Sequence, residues 1–207
     1  MQKKHHIKIG DIFTTKENCN VKVLDYKNCN EILIEFQDKH KHKVYVQSSN
    51  LKRGLIKNPY LATAYNTGYV GVGSYKTING RTPTEEYNKW RNMLMRCYDA
   101  NYINKTPTYI DCYVCDEWLN FQNFAEWYTK QKYYGLGYEL DKDLLIDGNK
   151  IYSPNTCILV PQEINKLLID REAKRGDYPI GMCFDKKRNK FSVSFSVNAK
   201  TKHLGRF

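Results

Sequence analysis

Hydrophobic and polar residues alternate along the first quarter of the chain with the two-residue period of a β-strand. The apolar positions two apart are Val21 and Val23, then Ile32, Ile34 and Phe36, then Val44 and Val46. Polar breakers at residues 27–30 and 37–40 separate them. We predict a meander of short antiparallel strands over residues 7–57, folded as a small barrel or a curled sheet.

Residues 58–83 are rich in Gly, Asn, Pro, Ser and Thr, the residues that dominate turns and loops. We predict an ordered linker with one short strand near Tyr69 and Val70. Its glycines do not follow a strand and open a helix, so they do not suggest a phosphate-binding loop.

A helical period follows the linker, with apolar residues three and four apart. The first helix starts near Thr84, with Thr82 or Thr84 as its cap and Glu85 and Glu86 in its first turn. Its apolar face comprises Tyr87, Trp90, Met93, Leu94 and Cys97. A second helix is predicted from about Asn120 to Gln131, with Phe121, Phe124, Ala125 and Tyr128 facing inward.

The rest of the chain predicts strand, loop and strand over residues 140–160, then a helix from Gln162 to about Leu168 after Pro161. From Ile180 to Phe207 the strand period returns, because Phe191, Val193, Phe195 and Val197 alternate with polar residues. The expected fold is α+β. We divide it into an N-terminal β module (1–57), a linker (58–83), a central helical module with a short hairpin (84–170) and a C-terminal three-stranded antiparallel sheet (176–207).

The charge of the chain suggests a class of binding partner. The net charge is +11 and the isoelectric point about 9.2, which favours a polyanionic partner such as nucleic acid. Most of the surplus lies at the end of the chain, since residues 166–207 contain eleven Lys or Arg and four acids.

Cysteine usage and the N-terminus indicate the compartment. The seven Cys are an odd number, five of the first six residues are polar or charged, and no apolar run has the roughly 20 residues of a membrane span. We therefore expect a cytoplasmic protein without a membrane partner, whose cysteines are buried thiols or metal ligands.

Several motifs in residues 85–168 resemble a group of bacteriophage HNH or homing-endonuclease-like proteins. They are Trp90-Arg91-Asn92-Met93-Leu94 with Arg96-Cys97-Tyr98, residues 115–124, Leu140-Asp141-Lys142-Asp143, Gly148-Asn149, Tyr152-Ser153-Pro154 and Thr156-Cys157. The resemblance implies a phage-encoded protein in a bacterial host cell. It also implies an HNH-like module at residues 84–170.

The segment from Gly181 to Phe207 is similar to the apetala-type, integrase-like DNA-binding domain, through Gly181-Met182, Phe184, Phe191, Val193 and residues 202–207. That resemblance implies a three-stranded sheet in the DNA major groove, covered behind by a helix. The sequence ends at Phe207, where the helix should begin, so we expect an incomplete domain. The predicted DNA contacts are Arg188, Lys190, Lys200 and Lys202, with Lys186 and Lys187 on phosphates.

An HNH nuclease uses a His as general base, with carboxylate, His or Asn ligands around one divalent metal ion. Here Asp141-Lys142 stands at the expected Asp-His position, and none of the five His lies in the module. A protonated lysine is a poor base but a good phosphate contact. The candidate catalytic set is therefore Asp141, Lys142, Asp143, Asn149 and Asn155. If the protein cleaves, the oxygens of Asp141, Asp143, Asp147, Asn149 and Asn155 would hold a hydrated Mg²⁺, and Lys142 would contact phosphate. The alternative is that Asp147-Gly148-Asn149 is only a turn and Asp143 only a charge at a strand end.

The cysteines suggest a second metal site. Cys112-x-x-Cys115 has the spacing of a zinc knuckle, and Cys97 and Cys157 come from neighbouring predicted elements. Four thiolates would make one structural zinc site, whereas buried free thiols are the alternative.

Three functions remain open at this stage. The first is a phage protein that binds double-stranded DNA and is related to HNH homing endonucleases without their catalytic His. The second is an active Mg²⁺-dependent nicking endonuclease. The third is an inhibitor of a host defence nuclease, for which no particular residue argues.

Overall fold

The computed structural model describes residues 6–146, 148–168, 178–179, 181–197 and 200–207, and the side chains of residues 166–168, 196–197 and 200 lie outside the description. The chain divides into two compact units, Met1–Thr129 and Lys130–Phe207. The described residues form helices and antiparallel strands, so the α+β prediction is confirmed. No helix among them is long and apolar enough to cross a membrane.

The first unit begins with a four-stranded antiparallel sheet in the order β1-β2-β3-β4. Its strands are β1 (Ile12–Thr14), β2 (Asn20–Asn28), β3 (Glu31–Phe36) and β4 (Lys43–Val46). The predicted alternation is present, because Val21, Val23, Ile32, Ile34 and Phe36 are fully buried on one face. The short helix α1 (Ser48–Lys52) adds Leu51 to the same core. In the described residues β1 and β4 are free edges, so the sheet is open and the closed-barrel alternative is wrong.

The glycine-rich linker packs closely against the helices that follow it. In place of the strand predicted at Tyr69 and Val70, Tyr69 makes one parallel bridge to Asn120. A Cβ added to Gly68 would overlap the Leu94 side chain and come within 2.7 Å of the Trp90 ring. Glycine is therefore required here by close approach rather than by a turn. A two-residue hairpin, β5 (Ile78–Asn79) and β6 (Thr82–Pro83), ends the linker.

The helices of the first unit follow the predicted apolar periodicity in part. They are α2 (Glu85–Tyr98), α3 (Ala100–Lys105), α4 (Asp116–Leu119) and α5 (Phe121–Thr129), with a 3₁₀ turn at Pro107–Tyr109 and strand β7 (Tyr113–Val114) before α4. The Thr84 hydroxyl accepts a hydrogen bond from the Tyr87 N–H (3.4 Å), which confirms the predicted cap of α2. The indole N–H of Trp90 donates to the Trp118 carbonyl (2.7 Å) and ties α2 to α4.

The second unit contains the remaining strands and the last helix. They are β8 (Glu139–Asp141), β9 (Ile151–Tyr152), β10 (Ile158–Val160), α6 (Gln162–Leu168), β11 (Met182–Asp185), β12 (Lys190–Val197) and β13 (Lys200–Arg206). β8 pairs antiparallel with β10. The last three strands form an antiparallel sheet in the order β11-β12-β13, which confirms the predicted C-terminal sheet.

Candidate nucleic-acid interface

The register of the C-terminal sheet sorts its side chains onto two faces. Directly paired residues of antiparallel strands share a face. Cys183 pairs with Ser192, and Ser192 pairs with Arg206, so these three form one row across the sheet. Ser194 pairs with His203 in the next row, and Asp185 pairs with Lys190 at the other end. We call this side, defined by Cys183, Asp185, Lys190, Ser192, Ser194, His203 and Arg206, the polar face.

A β-bulge in β13 aligns two basic side chains on the polar face. The pairing shifts between Val193 and Ser194, and Leu204 is the extra residue of β13. His203 and Arg206 are three residues apart and would lie on opposite faces of a regular strand. The extra residue resets the alternation, so both lie on the polar face.

The other face carries the aromatic residues. Phe184 pairs with Phe191, and their rings lie 5.0 Å apart between centroids, with Tyr178 packed on Phe191 at 5.2 Å. Lys202 pairs with Phe195 and therefore lies on this apolar face. Two of the predicted DNA contacts, Lys202 and Lys190, therefore lie on opposite faces of the sheet. Lys200 begins β13 by its backbone, but its side chain lies outside the described part of the chain.

The turn between β11 and β12 presents exposed basic side chains beside the polar face. Lys186, Lys187 and Arg188 are all exposed. The Asp185 carboxylate accepts a hydrogen bond from the Arg188 guanidinium (3.0 Å) and others from the N–H groups of Lys187 and Arg188 (3.1 and 3.3 Å). The Arg188 hydrogen bond is the largest cause that lowers the pKa of Asp185 below its ordinary value. Asp185 therefore stays ionised, shapes the turn and neutralises Arg188, while the two lysines meet no carboxylate among the described residues.

Lys142 is buried in the loop that joins β8 to β9. Its side chain is 6% exposed, and its Nζ donates to Asp143 Oδ1 (2.5 Å) and to the Asn149 carbonyl (2.6 Å). The ammonium nitrogen also lies over the ring of Tyr152, 6.0 Å from the ring centroid. The predicted phosphate contact is therefore engaged inside the protein, where it closes the loop.

The neighbouring candidates also stabilise this loop. Asp141 Oδ1 accepts from the N–H groups of Asp143 and Leu144 (2.9 and 2.7 Å). The Asn149 amide donates to the carbonyls of Lys142 and Ile151 (2.8 and 2.7 Å), and its oxygen accepts from the Ile151 N–H (3.1 Å).

Among the described residues, Asn155 takes no part in these hydrogen bonds. Asn155 is exposed in the turn between β9 and β10, and Asp147 lies outside the described residues. The hydrogen bonds of Asp141, Lys142 and Asn149 described above favour the interpretation that these three residues hold the loop together rather than act in catalysis.

The four cysteines of the predicted zinc site form no disulfide among the described residues, and they differ in exposure. Cys97, Cys112 and Cys157 are buried and Cys115 is partly buried; the first three in sequence belong to the first unit and Cys157 to the second. Burial raises the pKa of the Cys115 thiol, and the charges of Glu117 and Asp116 act in the same direction. Within the described part of the chain, no group of three or more His, Cys, Asp or Glu is arranged to hold a metal ion. Zinc and Mg²⁺ binding stay predictions.

Sequence reasoning missed Arg206 and His203 as members of the polar face. The signal that could have pointed to Arg206 is its charge beside Gly205, because glycine inside a strand often marks a bulge.

No family model, curated protein or solved structure matches this chain.

Proposed function

We propose that this protein binds double-stranded DNA with the polar face of its C-terminal sheet, and that it does so without cleaving the strand. The observation that carries the proposal is the set of exposed cationic residues Lys186, Lys187, Lys190 and Arg206, which lie on or beside one face. Cationic side chains that neutralise phosphates release counterions, and this supplies sequence-independent affinity.

The shape of the sheet supports the same proposal. Ser192 and Ser194 occupy the middle strand of the polar face. Because these central side chains are small, the sheet can lie close to the bases in a groove of nucleic acid. Some DNA-binding proteins place β-strands in a DNA groove in this way. Residues 178–207 contain seven Lys or Arg and a single acid, Asp185, which is paired with Arg188. The resemblance of this segment to the apetala-type domain points to the same partner.

Binding rather than cleavage is supported by the loop of residues 141–151. A general base needs an accessible lone pair near the scissile phosphate. Lys142 stands where the resemblance expects a His, and its ammonium group is buried and donates two hydrogen bonds. The side chains of Asp141 and Asn149 form hydrogen bonds with backbone groups of the same loop. We infer that this loop is a structural part of a DNA-binding protein.

The test is the salt dependence of duplex binding, measured by fluorescence anisotropy for the full chain and for Lys186→Ala/Lys187→Ala. The double variant should weaken binding to every duplex and lower the slope of log K against log salt by about 2, close to one unit per lysine. Lys202→Ala is the matched control, because this residue lies on the opposite face, and its slope should stay that of the wild type. Equal slopes for all three proteins, or no binding by the wild type, would refute the proposal.

A further inference from the structure

Positive charge is concentrated at both ends of the sequence. Residues 1–57 contain twelve Lys or Arg and six Asp or Glu, and residues 166–207 contain eleven and four. Residues 58–165, in contrast, contain ten Lys or Arg and twelve Asp or Glu, which is a slight negative excess. The polar face accounts for the C-terminal concentration alone, so the N-terminal surplus needs a separate explanation.

Most cations of the N-terminal sheet are not neutralised by its acids. Glu35 forms an ion pair with Lys43 (3.6 Å), and no other ion pair joins two described residues of the range 6–57. The carboxylates of Glu17 and Asp38 instead accept from Asn58, which donates its backbone N–H to Glu17 (3.1 Å) and its amide to Asp38 (2.6 Å). These acids are therefore directed at the start of the linker rather than at lysines.

Exposed cations are grouped where the end of α1 meets the turn between β1 and β2. We call this group the N-terminal cationic patch, defined by Lys16, Lys52, Arg53 and Lys57. All four side chains are exposed, and none of them forms an ion pair within the described part of the chain. The patch therefore presents four positive charges that can be neutralised by an external anion.

Two backbone contacts bring the residues of the patch together. The Lys16 N–H donates to the Gly54 carbonyl (2.9 Å), and the Asn58 N–H donates to the Glu17 carboxylate (3.1 Å). The segment that follows α1 consequently runs beside the β1–β2 turn. Residues that are far apart in the sequence thus contribute to one surface.

The approach of these two segments is fixed by Gly54. Its φ is +63°, and a Cβ at this position would come within 3.1 Å of the Thr14 carbonyl oxygen. Only glycine combines this backbone conformation with so close a contact. Leu51 and Ile56 on either side are buried in the core of the sheet. The fold therefore holds like charges near each other on a rigid backbone, which favours a polyanionic ligand.

From this placement we propose that the N-terminal cationic patch is a second DNA contact, which binds phosphates of the duplex held by the polar face. The inference rests on the proposed function. Lysine and arginine that neutralise phosphates release counterions, so the patch adds affinity without adding sequence preference. DNA is the partner that both concentrations of cations on this chain would share, and two linked sites on one polyanion bind more tightly than either alone.

The patch is tested by the salt dependence of duplex binding, measured by fluorescence anisotropy with the full chain. In Lys16→Gln/Arg53→Gln/Lys57→Gln the slope of log K against log salt should fall by about 2.7, which is 0.9 for each lost phosphate contact. Lys16→Arg/Arg53→Lys/Lys57→Arg keeps every charge and should keep the wild-type slope. Thermal melting of both variants shows that the fold is retained, because the replaced side chains are exposed.

The matched control is Lys22→Gln/Lys27→Gln/Lys43→Gln, which removes the same charge from the same sheet. Lys22 and Lys43 are paired in register with Glu35, which lies between them, and all three lysines are exposed outside the patch. The control should keep the slope of the wild type. If it lowers the slope as much as the patch variant does, net charge explains the effect and the inference is wrong.

The outcomes separate this inference from the proposed function. If the patch variant keeps the wild-type slope while Lys186→Ala/Lys187→Ala lowers it, the patch does not contact DNA and the proposed function stands. If only the patch variant lowers the slope, the patch binds DNA and the role of the polar face is refuted. Combining both sets of substitutions should lower the slope by about 4.5, and a drop no larger than that of either set alone would refute two contacts with one duplex. If the wild type binds no duplex, both proposals fail.

Discussion

Replacing Lys142 with Met removes a buried ammonium group and keeps most of the apolar stem. The change deletes the hydrogen bonds to Asp143 Oδ1 and to the Asn149 carbonyl. Hydrogen bonds to charged groups contribute about 1.5–3 kcal/mol each, but the Asp143 side chain is 54% exposed, so water screens its share. We expect the closed loop to lose about 2–3 kcal/mol in total.

Hydrogen exchange of single amides reports this loss directly. The amides to follow are those of Asp143 and Leu144, which donate to Asp141, and that of Ile151, which donates to Asn149. In Lys142→Met their exchange should accelerate by roughly 30- to 150-fold, since every 1.4 kcal/mol is a factor of ten. Leu145→Met, which alters an exposed side chain of the same loop, is the control and should leave these rates nearly unchanged. Wild-type exchange rates in Lys142→Met would refute a structural role for Lys142.

Three further predictions concern the first unit and the cysteines. Partial burial alone would raise the pKa of Asp38, but the Asn58 amide (2.6 Å) and two backbone N–H groups outweigh burial and hold the pKa below 3.8. Because the folded value is the lower one, Asp38 stabilises the fold above 3.8 and this contribution disappears as the pH falls through the folded pKa. In urea unfolding, Asp38→Asn should therefore be less stable than wild type at neutral pH and approach it in acid; a constant gap would contradict this. Gly68→Ala should cost about 1–3 kcal/mol by overpacking against Leu94, seen as a lower melting temperature, and an unchanged melting temperature would contradict the close approach. The zinc prediction requires stoichiometric zinc in elemental analysis of the purified protein, lost on Cys115→Ser, and zinc-free folded protein would exclude it.

The strand-rich ends of the chain were the easiest to predict from sequence. Alternation of Phe191, Val193 and Phe195 with serines forms two chemically different faces in any strand, so the face assignment follows directly. Which residues of β13 share a face was not predictable in this way. Leu204 is an extra residue without a partner in β12, and only the pairing of the two strands reveals it. Arg206 was therefore missed as a member of the polar face, and the predicted contact Lys202 lies on the opposite face.

Elements without a buried stripe were harder to predict. Helix α3 has no buried residue, and its main local signal is Asp99, whose carboxylate accepts from the Tyr102 N–H (2.8 Å). Lys142 was predicted at a phosphate because a protonated lysine is a poor base but a good phosphate contact. Its burial depends on the carbonyl of Asn149, seven residues along the chain, and sequence spacing does not reveal that loop closure. The linker glycines were read as breakers, whereas Gly68 is there because Trp90 and Leu94 fill the space of a side chain.

The central claim, DNA binding by the sheet without strand cleavage, is tested most directly on supercoiled plasmid with one preparation of the full chain in Mg²⁺. Gel retardation and nicking are followed in the same samples, with the Asp141→Ala/Asp143→Ala variant alongside. Our account predicts that the wild type retards the plasmid in a salt-dependent manner and leaves it supercoiled. Nicked circles from the wild type that are absent with the variant, or a plasmid that is never retarded, would contradict it.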